Sequence, residues 1–415
     1  MKRCCKNIDI TNRELISEAT WSCLQGEMTR PDTIRMFAEY SGLPYKFLAD
    51  TAKKHRYMLD GIVDTVIDGI RQEIINRRYT IKKIRHKLKI DSCTGKLRNI
   101  GIQDIKQQVY DYIAVYALEE LFRKKLCYYQ TGAVKKKGND FGAGAIYNWL
   151  ADKRNRIAWQ ADVRHYYENI DRWRLKRMLE RDVDNEPLLH LVFFLIDTFE
   201  KGLSIGSYLS QFLANYYLSK SYIYAGQLYK ERKAKDGSVK RVSLVNHVLF
   251  QMDDILFIGH SEKDMKMAVR KFTKHVNKEL GLELKESARY IDLRSDYIDI
   301  LGRKVSRKNL TIRSSTFLRM RRTLKKAYSY ICHEKDVPYK LAKTCVSRYG
   351  PLKHTHGKRF ARKYHVNKII KKCELAISQK ERGNTMDFDR YVYFTPYVEP
   401  VNPIHFVEKQ NSLPF

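Results

Sequence analysis

Apolar positions over the first 80 residues recur at helical spacing. Thr11-Asn12-Arg13-Glu14 has the form of a capping box, and Leu15, Ile16, Ala19 and Trp21 follow it. Pro31-Asp32-Thr33 predicts the start of a second helix, Ser41-Gly42-Leu43-Pro44 its end, and 45–77 one or two more. The period then changes. "IKKIRHKLKIDSCTGKLRNIGI" (81–102) alternates apolar and basic residues about Thr94-Gly95, which predicts a two-stranded basic ribbon. Helical spacing returns over 104–126, and "KKKGNDFGAGA" (135–145) is a basic, Gly-rich loop entering a helix. "RIAWQADVRHYYENID" predicts a strand ending at Asp162, 172–200 is helical, and "GLSIGSYLSQFLANYYLSK" is a Gly-containing turn entering a helix. Asp236-Gly237 is a hairpin turn. "LVNHVLFQMDDILFIGHS" predicts two strands with a tight turn at Met252–Asp254, followed by a helix at 262–280 and short strands through 305. This order predicts an α+β fold with an antiparallel sheet. The expected divisions are a helical N-terminal domain (1–79), a mixed body (80–305), a basic helical unit (306–383) and an extended tail (384–415). The tail carries seven aromatics among several prolines, too many for free disorder, so it is expected to dock on the body or on another subunit.

Length and charge narrow the class. At 415 residues the chain exceeds one typical core. Lys and Arg number 79 against 47 Asp and Glu, a net charge of +32. So high a charge opposes compaction unless a polyanion neutralises it, which makes nucleic acid the first partner to consider ahead of a merely basic soluble protein. The charge is concentrated: residues 301–370 hold 20 Lys and Arg but only two acids, Glu334 and Asp336. Tyr328, Tyr330, Tyr339, Tyr349, Phe360 and Tyr364 are interleaved with them, a pattern that favours a phosphate-backbone track over a solvated basic surface. No apolar run is long enough to span a membrane, and the N-terminus lacks the apolar segment of a signal peptide. Eight Cys without paired spacing read as a reduced, cytoplasmic protein, with Cys4-Cys5 as free thiols.

Asp253 and Asp254 interrupt two apolar runs, and Asp162 ends another. Burying one uncompensated carboxylate costs several kcal/mol or more. Three that converge at a sheet end repel unless cations lie between them. Two Mg²⁺ ions roughly 3.5–4 Å apart would resolve the repulsion and clamp both reacting oxygens of a phosphoryl transfer.

In order and spacing, "QADVRHYYENID", "GLSIGSYLSQFLANYYL" and "LFQMDDILFIG" resemble motifs A, B and C of reverse transcriptases. "GKLRNIGIQD" and "YYQTGAVKKKGNDFGAGA" resemble the fingers motifs, "LGLELKESARYID" motif D, "YIDILGRKVS" the primer-grip turn, and "VSRYGPLKHTHGKRFARKY" the bacterial thumb. The resemblance covers about residues 80–370. It implies a right-hand polymerase of fingers, palm and thumb, an antiparallel palm sheet, and RNA-directed DNA synthesis from dNTPs with two Mg²⁺, Mn²⁺ being an alternative ion. Asp162, Asp253 and Asp254 would hold the metals, assisted by the Val163 carbonyl. Tyr167 takes the steric-gate position, with a core tyrosine as the other reading because Tyr166 is adjacent. Lys96 and Arg98 would hold the triphosphate. Ser210 and Gln211 would lie along the template and incoming nucleotide. Lys285 is either the general acid for pyrophosphate or a surface lysine. Nucleic-acid contacts fall to Lys135, Lys136, Lys137, Gln251 and Met252, and, in the thumb, to Arg348, Lys353, Lys358, Arg359, Arg362 and Lys363.

Two departures matter. Gln251 stands where motif C usually begins with Tyr, and Gln211 where group II intron enzymes usually have Pro. The Ile-Gly-xxx-Ser-Gln form is similar to diversity-generating retroelement enzymes. Gln251 and the N-terminal helices suggest instead the divergent phage-defence reverse transcriptases. A dedicated structured non-coding RNA is the expected partner beside the DNA product, with a homo-oligomer or accessory protein also compatible with the tail. Alternatives are template-independent synthesis, priming by a protein hydroxyl such as Tyr391, Tyr393 or Tyr397, and a catalytically idle RNA-binding scaffold.

Overall fold

A computed structural model describes residues 3–90, 95, 97–134, 136–233 and 236–381. It is 55% helical and 15% strand, and its paired strands are all antiparallel, consistent with an α+β chain. Lys96, Lys135 and the tail 384–415 with Tyr391, Tyr393 and Tyr397 lie outside the described residues.

The N-terminal helices are Arg13–Leu24, Pro31–Ser41, Tyr45–Lys54 and Asp60–Ile75. The first is capped by Asn12, whose side chain accepts from the Glu14 and Leu15 amides, whereas Thr11 donates its hydroxyl to Asp9. The cap is therefore one residue later than the box reading suggests, because Asp9 captures Thr11 first. The second helix stops at Gly42, at φ 70, as the Gly-Leu-Pro signal predicts. These helices share a continuous core with the helix Ile105–Ala117 rather than enclosing one of their own. A buried ion pair bolts the two together. Lys106 Nζ donates to Glu73 Oε1 at 2.7 Å, and Glu73 also accepts from the hydroxyls of Tyr40 (2.7 Å) and Tyr110 (2.6 Å). Near the N-terminus, Cys4, which makes an isolated bridge to Val183, and Cys5 are buried free thiols, and burial pushes the Cys5 thiol up to about 12.

The basic ribbon forms as predicted. β1 (Arg85–Ile90) pairs antiparallel with β2 (Leu97–Ile102) and is exposed along its whole length. The central sheet takes β3 (Ile157–Asp162) from the middle of the chain. A second ribbon, β4 (Tyr229–Lys233) with β5 (Val239–Ser243), projects just before β6 (His247–Gln251) and β7 (Asp254–Gly259). β8 (Arg289–Asp292) completes the sheet in the order β6-β7-β3-β8, antiparallel throughout. β9 (Ile298–Ile300), β10 (Arg303–Val305) and β11 (Leu310–Ile312) form a separate meander. β11 falls beyond the division expected at 305, because three short strands satisfy one another's backbone groups and the last one closes the set.

The apolar runs around Asp253-Asp254 are continuous because both faces of the sheet are covered. Phe250, Ile255 and Phe257 join Trp159 in one core, against Phe272 of the helix Glu262–His275. Leu249, Leu256 and Ile258 join Ala158 in another, under the helix Asn139–Ala151 and the β9–β11 meander. Strict period-two alternation between two cores leaves no polar face to the hairpin, so its charge can emerge only at the turn. The helices Ser314–Cys332, Tyr339–Lys353, Lys358–Lys363 and Val366–Glu381 build a third core around Met320, Leu324, Ala342, Cys345, Val366 and Cys373. Among the described residues, no helix is long and apolar enough to cross a membrane.

Candidate active site

Backbone register brings the three acids together. Asp162, the last residue of β3, is the direct partner of Asp254, the first of β7. Asp253 lies in the two-residue turn between Gln251 and Asp254, and its carbonyl accepts from the Val163 amide at 3.1 Å. Lys285 is fixed to the same point twice. Its amide donates to the Asp162 carbonyl (2.8 Å) and its Nζ to Asp162 Oδ2 (2.9 Å).

The acids perturb one another. Burial, a hydrogen bond with Asp162 and the charge of Asp253 together push the Asp254 carboxyl up to about 8, against the pull of Arg313. Burial and then the charge of Asp162 also raise Asp253, while Lys285 and Arg98 draw it down. Arg98, on the exposed β2, thus reaches the site electrostatically. Burial and mutual repulsion therefore outweigh the pull of Lys285, Arg98 and Arg313 at both Asp253 and Asp254.

The turn is held from behind. Met252 has φ 54, and its side chain lies against Gly132, where an added Cβ would meet Met252 Cγ at 2.8 Å. The Thr131 amide donates to Phe250 O (2.9 Å) and the Phe250 amide to Tyr129 O (3.0 Å), laying residues 129–132 along the free edge of β6. Gln130 Nε2 donates to Asn215 O (2.8 Å) and Asn215 Nδ2 to Gly132 O (2.6 Å), which ties this loop to the helix Tyr208–Tyr217. Gln251 belongs to the same clamp, accepting a hydrogen bond from the Thr131 hydroxyl. Thr131, Gly132 and Asn215 lie inside segments quoted above for the resemblance, but their clamping contacts join positions distant in the chain, which spacing does not reveal.

Tyr166 and Tyr167 separate cleanly. Tyr166 is a core residue that donates to Ala214 O. Tyr167 is half-buried with its hydroxyl 3.9 Å from Met252 Sδ, and burial followed by the Asp253 charge pushes it up to about 12. Gly202, at φ 52, lets the main chain pass close behind: a Cβ there would fall 2.2 Å from the backbone carbonyl oxygen of Tyr167 and 2.5 Å from that of Glu168. Ser210 is fully buried and Gln211 half-buried. Ser207, not Ser210, caps the helix and donates to buried Asp111 (2.7 Å).

The basic residues divide. Lys137 is buried, donates to Tyr128 O (3.0 Å) and lies 4.2 Å from the Tyr128 ring centre, and burial draws its ammonium down to about 8. It is placed to hold its own loop rather than a surface phosphate. Arg348 is exposed and donates to Thr323 Oγ1, and Lys353, Lys358, Arg359, Arg362 and Lys363 are exposed on the C-terminal helices. Beside Asp162 opens a cavity of about 310 Å³ lined by Gln160, Ser287, Arg289, Asp299 and Arg313, with Arg313 paired to Asp299.

Among the described residues, no group of three His, Cys, Asp or Glu side chains is arranged to hold a metal ion as it stands. The donor chemistry nevertheless suits a hard divalent cation. Asp162, Asp253 and Asp254 offer only oxygens, and a cation would offset the burial and mutual repulsion that raise Asp253 and Asp254. No protein-family model matches the chain, and no curated protein matches it in sequence.

Proposed function

We propose that the chain is an RNA-directed DNA polymerase of a bacterial retroelement or antiphage system, acting in the cytoplasm with a structured non-coding RNA. One observation carries this reading. Asp162 and Asp254 are register partners with Asp253 in the turn beside them, so three acids meet at the edge of an otherwise apolar sheet. Asp162, Asp253 and Asp254, with the Val163 carbonyl, would hold Mg²⁺ or Mn²⁺. When bound, the metal supplies Lewis-acid stabilisation of the attacking and leaving oxygens of nucleotidyl transfer. Lys285, 2.9 Å from Asp162, holds a proton at Nζ for the pyrophosphate leaving group. Arg98 offers a planar cation to the triphosphate. Tyr167, half-buried with its hydroxyl 3.9 Å from Met252 Sδ, would exclude a ribose 2′-hydroxyl. The exposed cations of the C-terminal helices would follow the template–product duplex.

The test is dNTP incorporation by purified protein with its co-purified RNA. Asp253→Ala with Asp254→Ala is expected to abolish incorporation while RNA binding persists. Incorporation by the double variant overturns the assignment. Sequencing the wild-type product separates a complement of an RNA from an untemplated tract.

A further inference from the structure

The β4–β5 ribbon takes no part in the site just described. Its register pairs Tyr229 with Ser243, Lys230 with Val242, Glu231 with Arg241, Arg232 with Lys240 and Lys233 with Val239. Only Lys230 and Val242 are even half-buried. The base is anchored to the helix Glu262–His275: Lys230 Nζ donates to Asp264 Oδ1 (2.5 Å) and Lys271 Nζ to Tyr229 O (3.2 Å). Beyond the base there is no core to stabilise the ribbon, and a lone hairpin is marginal in water. Its outer end is also frustrated. Arg232 and Lys240 face each other directly across the strands, a like-charge pair that disfavours the hairpin, and neither has an ion-pair partner among the described residues. On the opposite face Glu231 balances Arg241, which lies 4.6 Å from the Tyr229 ring centre.

At the foot of the ribbon, Ser243 opens into a cavity of about 730 Å³ that is also lined by Arg154, Arg156, Asn246, His247 and His260. Asp152 neutralises Arg154 there, and Arg156 is exposed. Arg156 immediately precedes β3, so this cationic surface sits at the end of the sheet away from Asp162, roughly 20 Å along the strand.

We propose that the ribbon and this cavity form a second nucleic-acid site, one that takes the phosphate backbone of a duplex remote from the carboxylates. A two-stranded ribbon fits a duplex groove, and phosphates between Arg232 and Lys240 remove the repulsion that the free ribbon carries. The inference stands apart from the polymerase reading, because it concerns binding without nucleotides or chemistry.

The experiment measures the full-length protein by fluorescence anisotropy on a 20-base-pair RNA duplex and on a DNA duplex of the same sequence, across a salt series. Arg232→Glu converts the repulsive pair into an attractive one. It is expected to leave Tm unchanged or raised, yet to weaken duplex binding on the order of tenfold and flatten the salt slope by about one to two. Arg232→Thr with Lys240→Thr keeps β-forming residues without charge and should weaken binding similarly, so a misfolded first variant does not end the test. A loss on one duplex alone identifies which nucleic acid the site takes. Unchanged affinity and slope on both duplexes overturn the proposal.

Discussion

Glu73→Ala should destabilise the chain by about 3–5 kcal/mol, because it strands a charge rather than merely deleting a contact. The Lys106 side chain is only 5% exposed, and Glu73 is its close partner at 2.7 Å. The other acid in reach, Glu39, is 3.5 Å away and 53% exposed, so it screens weakly. The same substitution removes the acceptor for the hydroxyls of Tyr40 and Tyr110. Replacing both members, Glu73→Leu with Lys106→Met, deletes the stranded charge and fills the volume with apolar atoms. That double variant should lie within about 1–2 kcal/mol of wild type, since a buried pair offsets little more than its own desolvation. The assay is equilibrium urea unfolding of wild type, Glu73→Ala, Glu73→Leu, Lys106→Met and the Glu73→Leu with Lys106→Met double variant, the last three read with wild type as a double-mutant cycle. For a chain of 415 residues, at roughly 1 °C per kcal/mol, the Glu73→Ala variant should also lose about 3–6 °C in Tm. A Glu73→Ala cost below about 1 kcal/mol, or a double variant no better than the singles, would refute the reasoning.

Tyr167→Ala should admit ribonucleotides, measured as the ratio of NTP to dNTP incorporation, and unchanged discrimination would remove the gate from this residue. Asp182 gives a pH prediction. Burial would raise it, but hydrogen bonds from Arg181, Tyr216 and Lys125 outweigh burial and hold it at about 2, below its ordinary 3.8. Its contribution to stability is therefore full above pH 3.8 and lost as pH falls towards 2, and Asp182→Asn should remove that part of the acid sensitivity in urea midpoints taken from pH 5 to 2. An unaltered pH profile would count against the pairing.

What the sequence made legible was whatever depends on local pattern. The two-core alternation of Leu249 to Ile258 is readable as an uninterrupted apolar run, and the acids stand out against it. Proline and glycine punctuation placed the helix Pro31–Ser41 and the Asp236-Gly237 turn. What was not legible depends on partners distant in the chain. Nothing near Lys137 says that its ammonium turns inward to Tyr128 O, since a run of three lysines looks the same whether solvated or folded under. Arg313, in the cavity beside Asp162, precedes a helix with no distinguishing neighbour. Thr11 was displaced as a cap by Asn12 because Asp9 competes for its hydroxyl, a choice that a four-residue motif does not encode.

The loop at 129–132 has a consequence for how this chain can vary. Met252 leaves no volume for a side chain at position 132, Asn215 reads the carbonyl of Gly132, and Gln130 reads Asn215 in return. The turn that carries Asp253 therefore inherits its position from a helix with no acid of its own. The register of Asp162 with Asp254 is set by β3 and β7, but the seat of the turn is shared: a change at Gln130, Gly132, Asn215 or Met252 disturbs contacts made by the others. Position 251 belongs to that inheritance. Its amide is engaged by Thr131, so the residue there is chosen by the loop behind the turn as much as by anything in front of it.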